Sequence, residues 1–96
     1  MNNQVMCEVF GMRIKPDDNN KRLAFFKIKL YVGENDWIDI DNFKLQRDLK
    51  TSDLYILPPA EKSLLTGKWM STVFYSDGLR NVILEKATKL YESQRS

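Results

Sequence analysis

Basic and aromatic side chains are interleaved in the first third of this 96-residue chain. Arg13 and Lys15 close one candidate strand, and Phe25, Lys27, Lys29 and Tyr31 take every second position of the next. On a strand that spacing puts them on one face. There, lysine and arginine neutralise phosphates while the rings between them stack on unpaired bases. The plainer reading of the same pattern is a solvated sheet face held by cross-strand packing, with Asp39 and Asp41 pairing with the lysines. A second basic group comprises Lys62 and Lys68 in a segment without periodicity and Arg80 near the start of a helix. Helix N-terminal amides attract phosphate oxygens, and a nearby arginine grips a phosphate or a guanine edge. Equally, Arg80 is placed to pair with Asp77. Lys86 and Lys89 would extend a basic stripe along that helix.

Other chemistries are poorly served. The chain has no histidine, which removes the commonest general base, the commonest zinc ligand and every Ser-His or Cys-His nucleophile. Its four glycines are scattered, so no glycine-rich phosphate loop exists. Glu34, Asp36, Asp39 and Asp41 are concentrated but lack the loop grammar of a calcium site, and a solvated turn and strand face accounts for them. We therefore expect no enzyme, no metal, no cofactor and no small-molecule substrate. The net charge of +2 falls short of the footprint of a dedicated nucleic-acid binder, so any such contact must come from local patches. A lone cysteine, Cys7, points to a reducing cytoplasm, and Cys7 is expected to pack inward with Val5 and Val9. No apolar run is long enough to cross a bilayer, and Met1-Asn2-Asn3-Gln4 does not begin a secretory signal. Trp37 and Trp69 are either stacking platforms or, more in keeping with their size, core or interface residues. Leu90 and Tyr91 are expected to pack on the sheet.

These residues need a scaffold, and the periodicity supplies one. Val5 to Lys15 alternates with a slip of one residue at Gly11, the mark of a bulge. Pro16-Asp17-Asp18-Asn19-Asn20 is a turn. Arg22 to Val32 is a strand with Ala24, Phe26, Ile28, Leu30 and Val32 on its apolar face, and Trp37 to Leu45 completes a meander. Leu54 to Leu57 is a short strand stopped by Pro58-Pro59. Ala60 to Lys68 reads as a loop, and Trp69 to Tyr75 as a fifth strand. Ser76 or Asp77 caps a helix with Leu79, Val82, Ile83, Ala87, Leu90 and Tyr91 at helical spacing. The expectation is one α+β domain over residues 1–92: a twisted antiparallel sheet of about five strands with a C-terminal helix packed on one face. Residues 93–96 form a frayed tail. One helix cannot cover both faces of that sheet, so a homodimer is expected.

The order of segments resembles the SpoVG family, the stage V sporulation protein G septation regulators. Met12-Arg13-Ile14, a polar turn, and Arg22-Leu23-Ala24 running into Ile28-Lys29-Leu30 resemble the family's opening. Leu54-Tyr55-Ile56-Leu57-Pro58-Pro59 stands where the family has a leucine, an aromatic, small or branched apolar residues and a proline. Gly67-Lys68-Trp69 is similar to its glycine-containing loop, and Arg80, Ile83 and Tyr91 match its helix. Two features depart from the pattern: Pro59 is followed by Ala60-Glu61-Lys62 rather than serine and basic residues, and Val73-Phe74 replaces a His-Pro pair. The resemblance implies a divergent member: a small, non-enzymatic cytoplasmic dimer that binds DNA or RNA and acts on gene expression or cell division. The expected contacts are Arg80, flanked by Lys62 and Lys68, with Lys27 and Lys29 as a second surface. The alternative is a protein-interaction adaptor of the same fold that does not bind nucleic acid.

Overall fold

The chain runs through four strands that pair in sequence order, β1 (Cys7–Ile14), β2 (Arg22–Tyr31), β3 (Trp37–Arg47) and β4 (Leu54–Leu57), all antiparallel. A separate hairpin follows, β5 (Ala60–Lys62) with β6 (Trp69–Ser71), and then a single helix, α1 (Asp77–Arg95). The computed structural model describes residues 7–95. The expected start of β1 at Val5, the segment Met1–Gln4 and the last tail residue, Ser96, lie outside them.

Three irregularities decide which side chains face inward. At Gly11, whose φ is 60°, the β1–β2 register shifts between Phe10 and Arg13, so Cys7 and Met12 are both buried although five residues apart. The missing side chain matters there, because the carbons of Lys27 lie 3.4–3.7 Å from where a Cβ would stand. In β3, Ile40 pairs with Ile28 and Phe43 with Phe26, which leaves Asp41 and Asn42 together opposite Lys27; Asn42 takes a φ of 66°. In β2, a shift between Arg22 and Ala24 lets the adjacent Leu23 and Ala24 both reach the core.

The helix covers the face those shifts assemble. Ser76 caps it, its Oγ accepting the Leu79 amide at 3.2 Å. Ile83, Ala87 and Tyr91, four residues apart, form its buried stripe, and α1 touches all four strands of the sheet. Phe26 and Phe43 stack at 5.5 Å in the centre, with Tyr75 6.1 Å from Phe43. Each such fully buried side chain contributes roughly 1.5–3 kcal/mol. Lys86 donates to the Cys7 carbonyl at 2.7 Å, tying helix to edge strand.

The architecture is α+β, with a C-terminal helix on an antiparallel sheet. Three expectations need correction. Trp69 to Tyr75 does not join the main sheet as a fifth strand. Only Trp69–Ser71 is a strand, and it pairs with Ala60–Lys62 in the segment read as a loop. Pro58-Pro59 ends β4 and turns the chain away, and three residues of Ala-Glu-Lys are too short and too polar to show an alternation. Finally, α1 continues through Ser93, Gln94 and Arg95 instead of fraying, with the Arg95 guanidinium 5.3 Å from the Tyr91 ring centre. A cation in the last turn also suits the helix dipole.

Candidate functional site

The face of the sheet opposite α1 is uncovered, and the three irregularities put a mixed set of side chains on it. Along β2, Phe25, Lys27, Lys29 and Tyr31 recur about every 6.6 Å. Pairing lays them in rows: Glu8–Lys29–Asp39 across β1, β2 and β3; Arg13–Phe25–Lys44–Leu57 across all four strands; Tyr31 beside Trp37.

The rings and cations interlock. The Lys29 ammonium lies 5.0 Å from the Trp37 ring centre and 5.6 Å from that of Phe10. Phe25 is flanked by two guanidiniums, Arg22 at 4.8 Å and Arg13 at 5.7 Å. Such contacts are worth about 0.5–1 kcal/mol each at exposed sites, enough to hold a lysine or arginine against a ring without consuming its charge. Lys29 forms no ion pair within 4 Å among the described residues. Arg13 and Lys27 do meet a carboxylate, both at Asp41, at 3.8 and 3.9 Å. Those separations are well beyond the 2.7–2.9 Å of a strong charge-assisted bond, and the groups are half-exposed, so a phosphate can replace the carboxylate at little cost. Tyr31 donates its hydroxyl to Glu8 Oε1 at 3.0 Å, a bond that pushes the phenol's pKa up. Tyr55 donates to Gln46 Oε1 at 2.8 Å at the far side.

Chemically, this surface can bind a flat, polyanionic ligand. Five cations (Arg13, Arg22, Lys27, Lys29, Lys44) stand among three carboxylates (Glu8, Asp39, Asp41), with Phe10, Phe25 and Trp37 presenting rings between them. Comparison of the chain with protein-family models, with curated proteins and with solved structures finds no match to any of them. The functional reading therefore rests on this geometry.

Of the five sequence-predicted contacts, the fold brings Lys27 and Lys29 together on the open face. Lys62 lies in β5 and Lys68 immediately before β6, on a hairpin whose strands contact no other element. Neither strand of that hairpin touches α1, so Lys62 is not grouped with Arg80. Arg80 pairs with Asp77 at 3.3 Å across one helical turn. Lys86 is engaged by the Cys7 carbonyl and Lys89 by Glu85 at 3.2 Å, so neither extends a free basic stripe.

Phe10, Arg22, Lys44 and Trp37 are the members that sequence reading did not place in the patch. The first two sit next to register shifts, where alternation misassigns the face. Trp37 reads in the sequence as either a stacking platform or, more in keeping with its size, a core or interface residue; it is half-exposed on the open face, beside Tyr31. Cys7 is buried, and that burial raises its thiol pKa above the ordinary 9.0, with Lys86 opposing the shift. Tyr75, raised by partial burial with Arg80 opposing, belongs to the core rather than to a site. Among the described residues no helix is long and apolar enough to cross a membrane.

Proposed function

We propose that this chain is a small regulatory protein that binds single-stranded DNA or RNA on the open face of β1–β4. The observation that carries the reading is the ring–cation ladder: Lys29 held between Phe10 and Trp37, and Phe25 between Arg13 and Arg22. Rings flanked by cations suit a ligand whose flat bases alternate with phosphates, because stacking and charge neutralisation act on the same nucleotide. A duplex hides its base faces and offers the ladder nothing to stack on. The resemblance to the septation regulators implies the same ligand class and a role in gene expression, and the reading keeps Lys27 and Lys29 as contacts. In it, Arg80, Lys62 and Lys68 are peripheral. The cytoplasm is the compartment such a role requires.

The test is titration of the protein into labelled single-stranded DNA, single-stranded RNA and duplex DNA at ~50 and ~200 mM salt. Three to five phosphate contacts on a single strand give a ten- to hundredfold drop in affinity over that range, at roughly 0.7 released counterion per phosphate. Either single strand is expected to bind at least tenfold tighter than the duplex. Equal binding to duplex, or none at low salt, would overturn the reading. The second outcome would favour the adaptor alternative, for which the exposed apolar side chains of the β5–β6 hairpin speak.

A further inference from the structure

At the end of the sheet where β1 turns into β2, a cleft of about 380 Å3 opens between the strands and the last turns of α1. Ile14, Pro16 and Leu23 form its apolar wall, and Tyr91 closes it from the helix. Two arginines line it, Arg47 from the end of β3 and Arg95 from the end of α1. Periodicity brings them there. Arg47 stands two positions after the buried Leu45, which puts it on the helix-covered face of β3 rather than the open one. Arg95 stands four positions after the buried Tyr91, one turn further along the same stripe. Asn20 sits at the rim in the left-handed region (φ 56°), in a turn where its amide donates to the Asp17 carbonyl at 3.1 Å.

The cleft holds charge without a counter-charge. No aspartate or glutamate lines it. Neither Arg47 nor Arg95 forms an ion pair within 4 Å among the described residues. Arg47 is the sharper case, because its Nε is buried and has no hydrogen-bond partner. Among the described residues it is the one buried side-chain nitrogen or oxygen left in that state. A charged donor withdrawn from water without an acceptor costs stability, and folds retain few of them. The Arg95 guanidinium lies 5.3 Å from the Tyr91 ring centre, a contact that orients the charge without neutralising it. The cleft at Lys21 and Lys50 differs, since Asp48 lines it too and accepts the Lys50 and Thr51 amides at 2.8 and 3.2 Å.

We propose that the Arg47–Arg95 cleft binds a small organic acid, its carboxylate held between the two guanidiniums and its apolar body laid against Ile14, Pro16 and Leu23. A guanidinium fork takes a carboxylate through two parallel N–H···O bonds, and a small turn of the Arg47 side chain lets Nε supply one of them. Asn20 offers its side-chain amide at the rim. The volume lies near the lower end of ligand sites, about 300–1,000 Å3, so the body is a single ring or a short chain. Two cations among apolar walls match one carboxylate on such a body. A polyphosphate would have no use for the walls. The lining holds no histidine, carboxylate, thiol or lysine to act on the acid, which makes it an effector rather than a substrate. The cleft lies on the helix side of the sheet and the ring–cation ladder on the other, so this inference stands apart from the nucleic-acid reading.

Nitrogen-15 NMR of the full chain tests it at the Arg47 Nε–H itself, with 3-phenylpropionate as the probe and 3-phenylpropanamide and inorganic phosphate as controls. The Nε–H signals of Arg47 and Arg95 are expected to move and saturate with a dissociation constant of about 1 mM or tighter, and both controls to bind roughly tenfold more weakly or worse. Arg95→Gln, at an exposed position, is expected to lose about tenfold in affinity, and Arg47→Lys, which keeps the charge but not the fork, a similar factor. Should Arg47→Lys fail to fold, Arg95→Gln and the amide control carry the test. No saturable shift up to ~20 mM probe, equal affinity for the amide, phosphate binding as tight as the carboxylate, or undiminished affinity in Arg95→Gln would each overturn the inference. Shifts confined to Phe25, Lys27, Lys29 and Trp37 would overturn it as well, because the acid would then be held by the open face.

Discussion

The open sheet face and the β5–β6 hairpin both carry large apolar side chains outside the core, but they hold them differently. On the sheet, Phe10, Phe25 and Trp37 each have a lysine or arginine against the ring, and the strands fix their spacing. On the hairpin, Leu64, Leu65, Trp69 and Met70 stand on or beside a ribbon whose two strands pair only with each other, with a few charges at its rim. A ring with a cation beside it has a use for a ligand that is flat and negatively charged. A bare aliphatic tip gains only by leaving water, and that is the demand of a protein interface. Exposure separates them in part, since Phe10 and Phe25 are part-buried and the hairpin residues exposed, and the company each side chain keeps completes the separation.

The largest effect that would sharpen this separation is charge reversal at the centre of the ladder. Lys29→Glu places a third carboxylate beside Glu8 and Asp39 and is expected to weaken single-strand binding about 100-fold at low salt while leaving the sedimentation mass unchanged. A drop in mass would blur the two regions into one. Trp37→Ala removes a stacking surface worth about 1–3 kcal/mol, so roughly a tenfold or greater loss in fluorescence-anisotropy titrations is expected, with a nearly unchanged salt slope. Asp41→Asn acts in the opposite direction. It releases Arg13 and Lys27 and removes a repelling carboxylate, and a tightening of about threefold at low salt is expected. Weaker binding in that variant would mean Asp41 positions the cations rather than competing for them.

Smaller still is the expected effect of Arg80→Ala on nucleic-acid affinity, less than threefold, because its guanidinium is committed to Asp77 outside the ladder. A tenfold loss would move the site to the helix. The pH dependence of stability reports in part on the core. Cys7 and Tyr75 have pKa values raised by burial from ordinary values of 9.0 and 10.0. The folded state therefore holds these protons after the unfolded state has released them. Their contribution is complete below pH 9 and is lost as pH rises above it. The melting temperature should fall progressively from about pH 9, and less steeply in Tyr75→Phe.

Much of the sheet was legible because its alternation is strong where it matters. The apolar face of β2 and the slip at Gly11 could both be read from spacing, and the helix from its cap and its four-residue stripe. The second bulge was not legible: Asp41-Asn42 carries no glycine, and Asn42 reaches a positive φ only because the register of Ile40 and Phe43 demands it. For that reason Lys27 and Lys29 could be placed on an exposed face, while Phe10 and Lys44, whose partners depend on the bulges, were missed. The hairpin escaped for a different reason. Ala60-Glu61-Lys62 has no pattern of its own, and its pairing with Trp69–Ser71 is set by the Ser63–Gly67 turn rather than by burial. Lys62 and Lys68 drew attention as charges, when the more telling residues of that segment are the leucines between them.

The most direct test of the central claim, that the open face takes single strands, is an amide and side-chain chemical-shift map recorded while a single-stranded oligonucleotide on the order of ten nucleotides is added at ~50 mM salt. The account predicts shifts concentrated on Phe10, Arg13, Phe25, Lys27, Lys29 and Trp37, with α1 and the hairpin quiet. Shifts concentrated on Ser76–Arg80 and Lys62–Lys68, with the β2 face silent, would contradict it.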